Sequence, residues 1–232
     1  MLVCRHGGGD IAGVLPLNLI HSPLFGRALV SSGFAVDGGI LADDAAVAEA
    51  LAQEFWRLAQ VLSCPTAELR GGALPREGWT LKSGVYLNFA KALEADDDAQ
   101  LLAIPRKHRA EVRKGLDNGL DMEFGRDQRL LDIHYRLYAE NVHRLGTPVF
   151  PKAMFAEVLA TFGADADIAL VSKDGAPLTT IFSLYHNGVC MPYWQGATLA
   201  ARKMRSNEAG YFQLMSHARE RGCTHFDFGR SK

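Results

Sequence analysis

Apolar positions divide this chain into long helical stripes and short strand-like runs. Val47, Leu51, Phe55, Leu58 and Leu62 recur at intervals of three and four behind Asp43-Asp44, a natural N-cap, and predict an amphipathic helix over 44–62. Leu130, Ile133, Leu137, Tyr138, Val142 and Leu145 predict a second helix. Met154, Phe155, Val158, Leu159 and Phe162 predict a third. A fourth covers about 206–221, with Tyr211, Leu214, Met215 and Ala218 inward and Gly222 at its end. Pro105 suits the first turn of a basic helix over 106–119 that stops at Asn118-Gly119. Strand-like runs fall at 11–20 (after Gly7-Gly8-Gly9), 28–39 with its turn, 66–70, 80–89, 120–124, 168–172, 178–185, 189–194 and 223–228. Asn187-Gly188 is a hairpin signal between two of them. Residues 94–104 are acidic and unpatterned, and a domain boundary is expected there, dividing 1–98 from 99–232.

Composition narrows the class. The chain has 232 residues, 48% apolar and 22% charged, which supports a folded core. A net charge of −1 advertises no global field for nucleic acid, yet Arg106, Lys107, Arg109, Arg113 and Lys114 cluster against Glu111 as the opposing charge. Four dispersed cysteines show no CxxC spacing; Cys64, Cys190 and Cys223 lie in or beside apolar runs and read as reduced and buried, which fits a cytoplasmic protein, and the chemistry expected is metal-free. No apolar run has the length of a membrane span, and the N-terminus lacks a secretory pattern.

The second-half order is helix, strand, two helices, three strands, helix and strand. With it come Ile104-Pro105-Arg106-Lys107-His108-Arg109, Arg113-Lys114-Gly115-Leu116-Asp117-Asn118-Gly119 and Tyr138-Ala139-Glu140-Asn141-Val142-His143-Arg144-Leu145-Gly146-Thr147-Pro148-Val149-Phe150. His21-Ser22-Pro23-Leu24-Phe25-Gly26 precedes them and Phe226-Asp227-Phe228-Gly229-Arg230-Ser231-Lys232 closes the chain. This series resembles the FemAB branch of GNAT-like acyltransferases, in particular the FemAB-related proteins found beside exosortase (PEP-CTERM) systems. The resemblance implies an α/β (α+β) GNAT-like fold of two related domains, with mixed sheets flanked by helices. Relatives of this kind begin earlier and continue past the last motif, so the first domain is expected to be partial and the second short at its C-terminus.

The resemblance also implies an N-acyl or aminoacyl transferase. Acyl-CoA, an acyl carrier protein or aminoacyl-tRNA would be the donor substrate, with no tightly bound cofactor. The acceptor would carry an amine or hydroxyl, as an envelope or polysaccharide precursor does, which links the protein to exopolysaccharide or cell-envelope biosynthesis. Two other readings stay open: a non-catalytic binding module on a GNAT-like scaffold, and a tRNA- or polyanion-binding protein that uses Arg106, Lys107, Arg109 and Arg113.

Candidate chemistry gathers in the last forty residues. The cationic turn with Arg202, Lys203, Arg205 and Asn207 stands before a helix start, where unpaired N–H groups and the helix dipole favour anions. There Arg202, Arg205, Asn207 and Arg230 are candidates for donor binding, with a plain helix-entry loop as the alternative. Tyr193 and Gln195 share one strand face and offer a hydroxyl and an amide to an acceptor, or else one packed aromatic and a cross-strand polar pair. Asp227 lies in an apolar strand, so it either pairs with Arg230 or Arg205, or takes a proton from an attacking amine. Asp227 and Tyr193 are thus the catalytic candidates. No Gly-x-Ser-x-Gly and no cysteine with a partner base appears, which agrees with direct transfer inside one cleft.

Overall fold

Three aspartates start helices here for one reason: each carboxylate accepts an N–H that the first helical turn leaves unpaired. Asp44 accepts from Val47 N–H at 2.8 Å, Asp96 from Ala99 N–H at 2.8 Å, and Asp127 from Leu130 N–H at 2.9 Å. In the computed structural model, which describes every residue except Phe25, Phe34, Arg76, Glu77 and Lys232, the chain divides into two units, Met1–Val85 and Tyr86–Lys232. Phe25 and Lys232, quoted above for the family resemblance, therefore lie outside the described residues.

The first unit holds β1 (Leu2–Arg5), β2 (Ile11–Leu15), β3 (Asn18–Ser22), β4 (Gly26–Val30), β5 (Leu41–Ala42), α1 (Ala45–Val61) and β6 (Thr66–Glu68). Its strands form two three-stranded sheets, β1-β2-β5 and β3-β4-β6. The single strand expected over 11–20 is two strands in different sheets. Pro16, which has no N–H and a fixed φ, stands at the break. Leu15, Leu29, Ile40, Leu51 and Phe55 make the core with α1, and Trp79 stacks on Phe55 at 5.7 Å.

The second unit runs β7 (Leu87–Ala92), α2 (Asp97–Leu102), α3 (Arg106–Asp117), β8 (Asp121–Gly125), α4 (Gln128–Arg144), α5 (Lys152–Phe162), β9 (Ala166–Lys173), β10 (Ala176–His186), β11 (Val189–Ala197), α6 (Ala200–Met204), α7 (Ser206–Glu220) and β12 (His225–Ser231). Its sheet has six strands in the order β7-β12-β11-β10-β9-β8. Neighbours are antiparallel except β11 and β12, which are parallel. The Asn187-Gly188 hairpin forms as its residues require, with positive φ at both.

Three expectations are corrected. The run 80–89 becomes strand only from Leu87. The acidic stretch 94–104 contains α2, because Asp96 caps it and Asp97 and Asp98 suit a helix N-terminus. Residues 202–204 belong to a short helix, α6, rather than a loop. The expected division at 98 and 99 falls inside the second unit, beyond β7. That strand pairs with β12 from His225↔Ala92 to Ser231↔Leu87, so β12 is paired on both sides.

The sheet of this unit has two covered faces. On one, α4 and α5 bury Leu130, Tyr138 and Phe155 against Ile168, Phe182 and the half-buried Trp194. On the other, α7 buries Leu214, Met215 and Ala218 against Ile181, Tyr185, Cys190 and Phe226. Helix α4 lies so close to β11 that a Cβ on Gly196 would come within 2.4 Å of Tyr138 N. All four cysteines are free, and Cys64, Cys190 and Cys223 are buried. Among the described residues no helix is long and apolar enough to cross a membrane.

Candidate functional site

Two parallel strands that part company open the site. Strands β11 and β12 pair at Val189↔His225 and Cys190↔Phe226, and no further pair follows among the described residues. β11 stays bound to β10 on its other edge, through a register shift between Phe182 and Ser183. That shift sets Trp194 opposite Phe182 and Pro192 opposite Ser183, so Tyr193 is the extra residue of a β-bulge. Past Cys190 the β11 edge facing β12 carries no strand pairing among the described residues. Backbone N–H groups on such an edge can donate to a carbonyl oxygen.

The chain leaves β11 through α6 and turns into α7 at Arg205, whose backbone is left-handed (φ 51°, ψ 33°). That conformation is costly for a residue with a Cβ. Several contacts hold it. Asn118 Nδ2 donates to Met204 O at 2.9 Å, which caps α6 from α3. Gly115 of α3 passes so close that a Cβ would lie 2.6 Å from Arg205 O. Arg205 Nε lies 2.6 Å from Glu111 Oε2 and its NH1 lies 3.8 Å from Glu208. The Lys114 hydrogen bond first, then the Arg205 charge, hold the Glu111 carboxyl below the usual range. Beneath the turn, Thr179 Oγ1 donates to Asn207 Oδ1 at 2.7 Å and meets Ser206 Oγ at 2.7 Å. Thr179 and Ser206 are fully buried, so the first turn of α7 is pinned to β10.

A groove of about 550 Å³ runs along α7 between it, α2, α3, β7 and β12. Ile104, Val112, Tyr211, Phe212, Met215 and Phe228 form its apolar walls. Asn207 and Glu208 line it at the first turn of α7, and Gln100 lines it from α2. This size and lining suit a small-molecule site with a few orienting polar groups.

The nominated residues distribute as follows. Asn207 lines the groove. Arg205 is half-exposed beside it and is engaged with Glu111. Arg202 is exposed on α6. Arg230 lies over the Tyr86 ring at 4.5 Å, near the far end of β12. Asp227 is the first residue of β12 past its last pair with β11, and its Oδ1 accepts from Gly229 N–H at 2.8 Å. Among the described residues it forms no ion pair with Arg205 or Arg230. The β-bulge between Asp227 and Arg230 turns the carboxylate toward its own backbone instead. Tyr193 packs near Trp194 at 4.7 Å between ring centres, and Gln195 stands opposite Ile181, a residue of the α7-side core. Arg106, Lys107 and Arg113 are exposed on α3, and Arg109 is half-buried.

A scan against family models matches residues 106–232 to the acetyltransferase (GNAT) domain. The chain belongs to the GNAT acetyltransferase family. This GNAT chain is thus an acyltransferase by family. A search of curated proteins returns no match. Among solved structures it resembles FemX at TM-score 0.68 and 14% identity, over 98% of this chain and 78% of that one. It also resembles the C-terminal domain (DUF2156) of a putative lysylphosphatidylglycerol synthetase from Agrobacterium fabrum, at TM-score 0.58 and 15% identity over 92% and 70%. The L-PGS structure from Bacillus licheniformis matches at TM-score 0.57 and 15% identity over 98% and 67%. At these identities the likeness is one of fold.

Sequence reasoning missed two buried polar sets of the GNAT unit. Asp167 accepts from Tyr185 OH at 2.9 Å and from Arg221 NH1 at 3.3 Å, and lies 3.0 Å from His217 Nε2. Arg221 also covers the Tyr185 ring at 3.7 Å. Burial first, then the Asp167 charge, push the Tyr185 hydroxyl far above its usual range. This cluster joins the beginning of β9 to the end of α7 and serves to hold them. The second set is His134, fully buried on α4 with Nδ1 3.1 Å from Thr180 Oγ1. Burial lowers its pKa to about 3, so it is neutral. The available signal was a charged or polar residue within an apolar run, as at Asp167 beside Ile168 and Thr179-Thr180 in β10.

Proposed function

We infer that the second unit transfers an acyl or aminoacyl group from an activated carbonyl donor to an amine or hydroxyl acceptor. The observation that carries this reading is the parting of β11 and β12, together with a groove whose lining includes Phe228 of β12 and Asn207 in the pinned first turn of α7. The donor is a thioester or an aminoacyl ester. Its carbonyl lies against the open edge of β11, whose N–H groups donate to the oxygen as negative charge develops there. Its anionic carrier meets the α7 N-terminus, Asn207, Arg205 and Arg202. The exposed basic side chains Arg106, Lys107 and Arg113, with Arg109, support a polyanionic carrier: coenzyme A, an acyl carrier protein or tRNA.

The acceptor, held by Tyr193 and Gln195, attacks the carbonyl carbon with its nitrogen or oxygen lone pair. A tetrahedral intermediate forms. Its collapse breaks the C–S or C–O bond and releases the carrier's thiol or ribose hydroxyl. The proton lost by the acceptor passes to Asp227 and from there to the leaving group, so the enzyme returns unchanged. Arg230 orients groups on the β12 side. Both substrates occupy one cleft, which supplies rate through positioning. The likeness of the sequence motifs to FemAB-related proteins of exosortase systems supports an acceptor from exopolysaccharide or cell-envelope synthesis.

Replacing Arg205 and Asn207 together by alanine should weaken acyl-CoA or aminoacyl-tRNA binding about tenfold or more, two charge-assisted or polar contacts being lost. Calorimetry reads the change. Unchanged donor affinity in a folded variant would remove this assignment.

A further inference from the structure

Gln100 is 1% exposed, yet it lines the groove along α7. Its Oε1 accepts from Glu94 N–H at 3.1 Å, which fixes which end of the amide faces the backbone. Its Nε2 is buried and has no hydrogen-bond partner among the described residues. A buried donor without an acceptor is costly, and Gln100 borders a cavity that can hold one.

Position decides what that acceptor belongs to. Helix α2 flanks the later half of α7, since Asp97 accepts from Ser216 Oγ and from Arg219. The C-terminal end of α3 flanks the first turn of α7, through Gly115 against Arg205. Gln100 and Asn207 therefore mark opposite ends of the groove. From Asn207 to Met215 is eight helical residues, a span of about 12 Å. Between those ends Tyr211, Phe212 and Met215 present apolar surface, and Ile104, Val112 and Phe228 face them. Methylenes gain from burial along these walls, while the Glu208 carboxylate belongs to the end of the groove at the first turn of α7.

We propose that the groove binds a linear aliphatic acyl chain whose far end carries an acceptor oxygen, and that Gln100 Nε2 donates to that oxygen. The inference rests on the reading of the α7 first turn as the end where the activated carbonyl sits. An extended chain of about eight to ten carbons bridges the two ends, from C–C bonds near 1.5 Å. Gln100 is then a specificity-determining residue, and the acyl group is oxygenated at its distal end rather than a short acetyl or an amino acid.

The test compares decanoyl and 9-oxodecanoyl thioesters of N-acetylcysteamine, by calorimetry on the full chain. The ketone adds only an acceptor. The wild-type protein should bind the oxo chain about five- to tenfold more tightly, the worth of one neutral hydrogen bond in a buried site. Gln100→Glu keeps the oxygen that holds Glu94 N–H and removes the donor, so it should reverse the preference. If that variant does not fold, the infrared stretch of a ¹³C-labelled ketone bound to the wild type decides: a shift to lower frequency is expected, and an unshifted band overturns the proposal. Equal affinities for the two chains, or a preference that survives Gln100→Glu, also overturn it. So does failure of both to bind while acetyl or aminoacyl thioesters are transferred to an amine, a result that leaves the transferase reading standing. Selective binding of the oxo chain without any transfer does the opposite: it sustains the groove's ligand and removes the reaction.

Discussion

Acid should destabilise this protein through a residue that never touches the groove. His134 sits on the buried face of α4, fully enclosed, between Tyr138, Phe155 and Phe182. In the folded chain burial holds its pKa at about 3, against about 6.5 in the unfolded chain. Between those values the unfolded state binds a proton that the folded state refuses, so stability falls as the pH falls through that window. Above pH 6.5 the imidazole is neutral in both states and contributes no slope. At pH 5 the loss is about 2 kcal/mol, 1.5 units at 1.36 kcal/mol each, and by pH 4 it is about 3 kcal/mol. His134→Gln can still meet Thr180 Oγ1 but cannot titrate. Urea unfolding of both proteins at pH 8, 6, 5 and 4.5 isolates the effect, since every other titrating group is common to them. The wild type should lose about 2 kcal/mol more than the variant between pH 8 and pH 5. Parallel pH profiles would refute the assignment of a neutral, enclosed imidazole.

Other outcomes follow from contacts elsewhere in the second unit. Gly196→Ala should cost roughly 1–3 kcal/mol by denaturant titration, because its Cβ would meet backbone atoms of α4 at 2.4 and 2.6 Å that cannot swing aside. A neutral result would mean that α4 and β11 are further apart than described. Asp167→Ala should cost about 3–5 kcal/mol, since it strands Arg221, His217 and the Tyr185 hydroxyl around one buried oxygen pair. A melting temperature within a degree of wild type would deny the cluster its holding role. Asp227→Asn should slow transfer far more than it weakens donor binding, as expected for a group that moves a proton during the reaction; single-turnover and binding measurements separate the two. An unchanged transfer rate would leave Asp227 only its bond to Gly229 N–H.

Local chemistry was readable before any coordinates. Asp44 as an N-cap, the apolar stripe of α1, the stripes of α4, α5 and α7, and the Asn187-Gly188 hairpin depend on neighbours within a few residues, so their patterns declare them. The same holds for the basic face of α3 and for the cationic approach to α7. Even the errors at this level were local: Pro16 divides what looks like one strand, and three consecutive aspartates disguise the short α2.

Tertiary structure decided what no spacing could express. That β7 pairs with β12 across more than a hundred residues depends on sheet order, and a sequence run carries no label for its partner. The parting of β11 from β12 and the bulge of β11 against β10 are likewise properties of the assembled sheet. Arg205 looked like a free cation until folding brought Glu111 to 2.6 Å from it. Gln100 looked like one polar residue in an acidic stretch until folding buried it at the border of a groove with its amide nitrogen lacking a partner among the described residues. Hydrophobic periodicity encodes which side of an element turns inward. Which distant groups then meet is set by the packing of all the elements at once.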